Sequence, residues 1–326
     1  MEIERKVFLE AINKVSLGGK LIDDESPVVF RDGKLVMLYD DVAVRVDFEV
    51  DFEVALPSRP LIALLKRLDL GVVKTEKKET GLLIKAGRKR SEIRELAVTI
   101  PWEDQRVDWH PLPDDFEEQV KIVADCAGSD SSRYMFTCVH VCKDRLEAST
   151  GFHVGRFDVP IPIEEECLVY ADSLLAAAKC GIKEIGETDS CLCFRGDGFE
   201  CIIGKIDGTF PTTDHLFEDG GSAIQWPDEI GEMIGCASIF TVTEKFDDIS
   251  VSFLPGKMRL HGQGIDGWFE ERLKCNYEGD KIDFMIRPSL LSRLAKRSKE
   301  CIAQDGRILV ADGDFRFVTV TTVGEK

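Results

Sequence analysis

No stretch of the chain is apolar over the ~18–20 residues that a membrane span requires. The opening segment, Met1-Glu-Ile-Glu-Arg-Lys-Val-Phe-Leu-Glu10, is charged and holds no signal-peptide core, so a cytoplasmic location is expected. The motifs of common catalysts are missing as well. There is no Gly-x-Ser-x-Gly elbow, Walker loop, dinucleotide fingerprint or His-Glu-x-x-His. His110, His140, His153, His215 and His261 are scattered, none beside a nucleophile or a metal partner. Gly262-Gln-Gly-Ile-Asp-Gly267 mimics a phosphate loop, but it lies between two predicted strands with no helix after it and reads as a plain loop. Cys138, His140 and Cys142 would share one face of a strand, with the two cysteines ~13 Å apart at ~3.3 Å per residue. Zinc needs its sulfurs within ~2.3 Å of one centre, so no metal site is expected there. Neither catalysis nor a cofactor is called for.

What remains is an ordinary globular composition, 44% apolar and 31% charged over 326 residues, with length for two or more cores. The 11 cysteines sit inside apolar runs such as Cys191-Leu-Cys-Phe194 and Glu200-Cys-Ile-Ile203, and read as reduced core residues. A thiol-dependent enzyme is the weakest of the readings they leave open. The net charge of −18 excludes attachment to nucleic acid by bulk attraction, because phosphate binding wants Lys and Arg on the contacting surface. Either nucleic acid is irrelevant or it meets a locally basic surface.

Such a surface is visible in a repeat. Ser58, Ser173 and Ser289 recur at intervals of about 115 residues, each after an apolar strand and before an amphipathic helix, and each is read as a helix cap. The segments from these serines onward lack acids. Residues 58–68 carry Arg59, Lys66 and Arg67; residues 173–183 carry Lys179 and Lys183; residues 287–299 carry Arg287, Arg293, Lys296, Arg297 and Lys299. Sorting of sign onto one class of element is a property of the field rather than of helix propensity. A second register agrees with the first: Leu35, Leu146 and Met258 each follow a predicted hairpin turn, about 111 residues apart. The order helix, strands, helix, strands recurs three times. It predicts an α+β chain of three similar domains, 1–111, 112–222 and 223–326, each with two helices packed on antiparallel sheets. Acids at Glu117, Glu118, Asp228, Glu229 and Glu232 are expected near helix N-termini, where the helix dipole favours them.

Five short motifs, in order along the chain, then carry a resemblance: Leu17-Gly-Gly-Lys20, Ser132-Arg-Tyr-Met-Phe136, Ala148-Ser-Thr-Gly-Phe-His-Val154, Asp207-Gly-Thr-Phe-Pro211 after Ile202-Ile203-Gly-Lys, and Thr243-Glu-Lys-Phe246. The chain resembles the bacterial DNA polymerase III β subunit, the sliding clamp, as a divergent or phage-borne member. The resemblance implies three DNA-clamp domains forming half of a closed ring. Two copies would encircle double-stranded DNA as a processivity factor, with helices lining the hole and sheets outside. It places Lys20, Lys66, Arg67, Arg133, Tyr134, Lys179, Lys183, Arg293, Lys296 and Arg297 on the DNA-facing surface. A pocket for short peptide motifs of the polymerase and the clamp loader is implied between the second and third domains. Its wall would hold Ser149, Gly151, Phe152, His153, Val154, Pro211, Leu216, Val318 and Val320. Ile239 and Phe240 would anchor the homodimer contact. The ending Thr321-Thr-Val-Gly-Glu-Lys326 departs from the family's usual Met-Pro-Met-type tail. The rival from another class is a repeat-built protein-interaction scaffold that does not encircle DNA.

Overall fold

The computed structural model describes residues 1–16, 26–69, 71–98, 107–218, 220–241, 248–304 and 306–323. Six α-helices lie within them: α1 Arg5–Val15, α2 Ser58–Arg67, α3 Phe116–Ala124, α4 Ala171–Ala178, α5 Ile230–Ser238 and α6 Pro288–Arg297. Antiparallel strands make up most of the rest. The chain forms two compact units. Unit 1 holds Met1–Lys121, Val141–Lys143 and Ile161–Gly208; unit 2 holds Ile122–His140, Asp144–Pro160 and Thr209–Lys326.

These units do not follow the repeat boundaries, because sheets are built across repeats. In unit 1 one sheet runs in the order Val54–Pro57, Pro27–Arg31, Lys34–Leu38, Val42–Asp47, Phe199–Gly204, Cys191–Gly196, Ile182–Glu187, His110–Pro111. Val42–Asp47 of the first repeat pairs antiparallel with Phe199–Gly204 of the second. A smaller sheet orders Glu2–Glu4, Val72–Lys78, Gly81–Ala86 and Lys89–Arg94. Unit 2 follows the same plan. Within it Cys138–Val141, Arg145–Ser149, His153–Asp158, Phe315–Val320, Arg307–Asp312, Glu300–Gln304 and Ser222–Gln225 lie in that order, so the second repeat pairs with the third through His153–Asp158 and Phe315–Val320. A second sheet orders Gly267–Lys274, Lys257–Gly264, Ile249–Leu254, Ile282–Ile286 and Thr322–Val323.

The repeat period has a direct physical counterpart. Leu35, Leu146 and Met258 are each the second residue of the strand after a hairpin turn, and all three are fully buried. Burying such a side chain stabilises the fold by about 1.5–3 kcal/mol. The Asp32-Gly33 turn has φ of 51° and 70°, the left-handed pair that a tight two-residue hairpin needs and that Asp-Gly supplies. In unit 1, α1 buries Phe8, Ala11, Ile12 and Val15 at helical spacing; Phe8 packs edge-on against Phe30 and stacks on Phe48. In unit 2, Phe253 packs against Trp226, Tyr277 and Phe284.

The serine caps are a correction. The N-caps of α2, α4 and α6 are Pro57, Tyr170 and Arg287, with no side-chain cap bond at any of them. Ser58 and Ser289 fall inside the first turn, where α6 also begins with Pro288, whose fixed φ suits that place. Ser173 is the third helical residue and gives its hydroxyl to Asp41 Oδ2 at 2.6 Å. The acids behave as their helix ends require: Glu117 and Glu118 lie in the first turn of α3 and Glu232 in that of α5. The glycine-rich stretch is the tip of a hairpin rather than a plain loop, with Gly262–Gly264 ending one strand and Gly267 opening the next. A Cβ on Gly262 would stand 2.3 Å from the Ala237 carbonyl oxygen, so that glycine is there to let the end of α5 lie on the strand.

Candidate functional site

The basic residues do not all lie on helices. Lys66 and Arg67 end α2 and are exposed, and their helix terminus gathers further cations. Arg5 Nε donates to the Leu65 carbonyl at 2.8 Å, and Lys89 Nζ to the Arg67 carbonyl at 3.2 Å, as the negative end of a helix dipole favours. Helix α4 starts at Ala171 and therefore includes Asp172 in its first turn, so the acid-free description holds only from Ser173 onward. Lys179 is the C-cap of α4, and Lys183 sits on the strand Ile182–Glu187, paired with Asp197 at 2.7 Å. Lys296 is exposed in the last turn of α6. Arg297 pairs with Asp312 at 3.2 Å, and Arg293 pairs with Asp125. Arg287 donates to the Asp125 and Ala127 carbonyls at 2.5 and 2.7 Å, which makes it a structural tie. Arg133 and the exposed Tyr134 lie on the 3-10 turn Ser131–Thr137, with the guanidinium of Arg133 4.5 Å over the Phe136 ring. Lys20, with Leu17–Lys20 and Thr243–Phe246, lies outside the described residues.

The residues expected for a peptide pocket come together in unit 2. Val154 and Val318 are direct partners across the junction of His153–Asp158 with Phe315–Val320, and both are buried. The 3-10 helix Asp214–Phe217 lays Phe217 on them, with Leu216 and Leu309 at the margin. Phe152 and Val320 stand beside this cluster with 65% and 46% of their surface open, and the Val320 amide donates to the Phe152 carbonyl at 2.9 Å. Ser149 holds the preceding turn: its hydroxyl donates to the His153 carbonyl at 2.8 Å and accepts from the Gly151 amide at 2.9 Å. Gly151 has φ of 90°, which a side chain would strain. His153 is buried against Phe317, and burial first, then the charge of Arg287, brings its pKa down to about 4. Pro211 is exposed, while its neighbour Phe210 is buried and stacks on His140.

Phe217, Leu309 and the arginines beneath them are the wall residues that the sequence did not announce. Glu147 is buried under the 3-10 helix. Burial pushes its carboxyl up, but hydrogen bonds from His140 and Thr213 and the charges of Arg156 and Arg145 outweigh that and hold it down at about 2. The chemistry this arrangement supports is docking: an apolar shelf with exposed Phe152 and Val320 on a polar, ordered base. Burial raises the pKa of Cys126, Cys167, Cys180, Cys193, Cys201 and Cys301 and so disfavours their thiolates. Ile239 is 70% exposed at the C-cap of α5, and the Phe240 ring lies against Gly267, beside the hairpin that carries Ile265 and Trp268, 80% and 65% exposed.

No family model matches the chain, and no curated protein matches its sequence. Solved structures do match its fold. A DNA polymerase sliding clamp from Pseudomonas aeruginosa aligns at a TM-score of 0.77 and 18% identity, covering 99% of each chain. The Caulobacter crescentus pol III beta protein aligns at 0.79 and 16%, again over 99% of both chains. A Pseudomonas aeruginosa sliding clamp bound to griselimycin aligns at 0.76 and 17%, with the same coverage. The chain has the repeated helix-and-sheet fold of these clamps along its full length. Among the described residues no helix is long and apolar enough to cross a membrane.

Proposed function

We propose that the chain is a DNA sliding clamp: two copies close head to tail around duplex DNA and tether a replicative polymerase. The full-length likeness of its fold to solved clamps is the observation that carries this reading. The repeats 1–111, 112–222 and 223–326 then serve as three domains, and two copies supply six. The shelf in unit 2 receives short peptide motifs of the polymerase and of the clamp loader. Exposed Lys66, Arg67, Lys179 and Lys296, with Arg133 and Tyr134, face the phosphates, while the acidic remainder repels DNA.

The strand order supports ring closure. Along the chain, Val42–Asp47 of repeat one takes Phe199–Gly204 of repeat two as its neighbour, and His153–Asp158 of repeat two takes Phe315–Val320 of repeat three. The corresponding strand of repeat three, Gly267–Lys274, ends its sheet, as does Lys89–Arg94 of repeat one, the counterpart by hairpin register of Phe199–Gly204 and Phe315–Val320. A second copy joins these edges by the same rule, which also removes two open edges. Transferring the two internal registers sets Arg272 opposite Arg90 of a second copy and Phe269 opposite its Ile93. Ile239, Phe240, Ile265 and Trp268 border that contact.

Ile239→Asp with Phe240→Asp is expected to turn a ring-shaped dimer into a folded monomer. Mass in solution, checked by low-resolution imaging, reads the outcome. A variant that stays dimeric at micromolar concentration contradicts the anchor assignment. A scaffold that never encircles DNA is the second reading, and the pairing of Lys183, Arg293 and Arg297 with acids favours it.

A further inference from the structure

Three arginines from neighbouring strands converge under the segment 213–217. Arg156 lies on His153–Asp158, Arg316 on Phe315–Val320 and Arg307 on Arg307–Asp312. Arg156 and Arg316 are direct cross-strand partners, an arrangement that repels unless something intervenes. What intervenes is acid and aromatic surface. Arg156 Nε donates to Glu147 Oε1 at 2.7 Å, and its Nη2 donates to Asp214 Oδ1 at 2.6 Å and Thr213 Oγ1 at 2.9 Å. Arg316 pairs with Asp158. The Phe217 ring lies 4.5 Å from the Arg156 guanidinium and 5.6 Å from that of Arg316, so both cations meet a π face. Thr213 closes the network by donating its hydroxyl to Glu147 Oε1 at 2.6 Å. At the far side, Arg307 Nη1 donates to the His215 carbonyl at 3.1 Å.

Arg156 and Glu147 are both almost fully buried, and buried ion pairs add little net stability compared with well-packed apolar residues. Their retention under this one segment calls for a positional reason. Segment 213–217 is too short to hold itself: a single 3-10 turn has poor hydrogen-bond geometry. We propose that Glu147, Arg156 and Thr213 are positioning residues. They lock 213–217 so that Leu216 and Phe217 form a rigid, preformed wall of the peptide shelf. This rests on the docking reading above. A preformed wall lowers the entropy cost of binding, which a loose linker would impose on every encounter.

Thr213→Val tests this without leaving a charge unpaired, and Thr213→Ser is the rescue because it keeps the hydroxyl. Hydrogen exchange at the Leu216 and Phe217 amides is read in the full-length protein, beside titration with a short polymerase C-terminal peptide that carries bulky apolar side chains. Losing the two hydroxyl bonds should speed exchange at these amides, and weaken peptide binding, by about ten-fold each. Exchange on Phe315–Val320 should stay unchanged, and Thr213→Ser should return both readouts close to wild type. Unchanged exchange at Leu216 and Phe217 would overturn the proposal. Faster exchange with unchanged affinity would overturn the wall's part in docking. Failure of the wild-type chain to take the peptide would count against the docking reading itself, and exchange alone would then decide the positioning role.

Discussion

In unit 1 the strand Val42–Asp47 pairs with Phe199–Gly204; in unit 2 His153–Asp158 pairs with Phe315–Val320. The hairpin registers make the two junctions correspond position by position. Asp41 answers to Phe152, Ala43 to Val154, Arg45 to Arg156, Ile202 to Val318 and Glu200 to Arg316. Backbone bonding is shared too: the Gly204 amide donates to the Asp41 carbonyl at 2.8 Å, as the Val320 amide does to Phe152. The side chains finish the two places differently. In unit 1 opposite charges meet, Arg45 with Glu200, and Asp41 turns to the Ser173 hydroxyl. Val98 packs on the outer cluster of Val29, Val36, Leu38, Ala43 and Ala55, so little apolar surface is left open. In unit 2 two arginines face each other, Phe152 projects outward and Phe217 covers the cations. The two joints share their topology and differ in side-chain chemistry: Val98 packs on one cluster, while Phe152 and Val320 stand exposed beside the other.

A charge on each wall should separate the two junctions most strongly. Leu216→Asp is expected to weaken binding of a polymerase C-terminal peptide at least about 30-fold, as removal of a binding hot spot does. Val98→Asp, on the unit 1 cluster, should lower thermal stability and leave that affinity alone. Calorimetric titration and melting curves on both variants check the pair; loss of affinity in Val98→Asp would erase the distinction.

Acid should act in opposite directions on the two junctions. His153 has a folded-state pKa below its unfolded value. Its contribution is therefore present above about pH 6.5 and is lost as pH falls toward about 4, on the order of 3 kcal/mol in all. Asp41 is raised by burial, against the pull of the Ser173 bond. Its contribution is fully present below the unfolded carboxylate pKa and declines as pH rises through the folded value. Exchange corrected for intrinsic rates should show Phe315–Val320 loosening between pH 6.5 and 4 while Phe199–Gly204 does not. His153→Asn should flatten the response in unit 2 alone.

The smallest effect is expected from the basic helices, since acids from other elements already answer several cations. Lys296→Glu with Arg297→Glu should lower the salt slope of DNA binding by about one contact's worth, near 0.9, rather than two. Arg297 already shares its charge with Asp312. An unchanged slope would remove α6 from the DNA-facing surface.

Much of the fold was legible because it rests on local pattern. The Leu35, Leu146 and Met258 register marks buried positions after turns, and Asp32-Gly33 marks a hairpin that only left-handed φ values permit. Helix starts were less legible. Ser58, Ser173 and Ser289 look like caps, yet a proline or a tertiary partner overrides them, Asp41 in the case of Ser173. Of the shelf, the Ala148–Val154 motif and Leu216 are stretches that the sequence singles out and that the fold gathers around Val154 and Val318. Phe217 and its arginine cradle are not among them, because Glu147, Arg156, Thr213, Arg307 and Arg316 meet through strand pairing that no local spacing encodes. Charge sorting along the sequence hides the same thing, since Asp125, Asp197 and Asp312 reach the basic residues from elsewhere in the chain.

Topology is the most direct test of a ring around DNA. The full-length protein is assembled on a nicked circular duplex, separated from free protein by gel filtration, and passed again after the circle is cut once. A sliding clamp stays with the closed circle through the first passage and is lost after cutting, at moderate and high salt alike. Release from the intact circle, or retention on the linear product, would contradict encirclement and favour the scaffold.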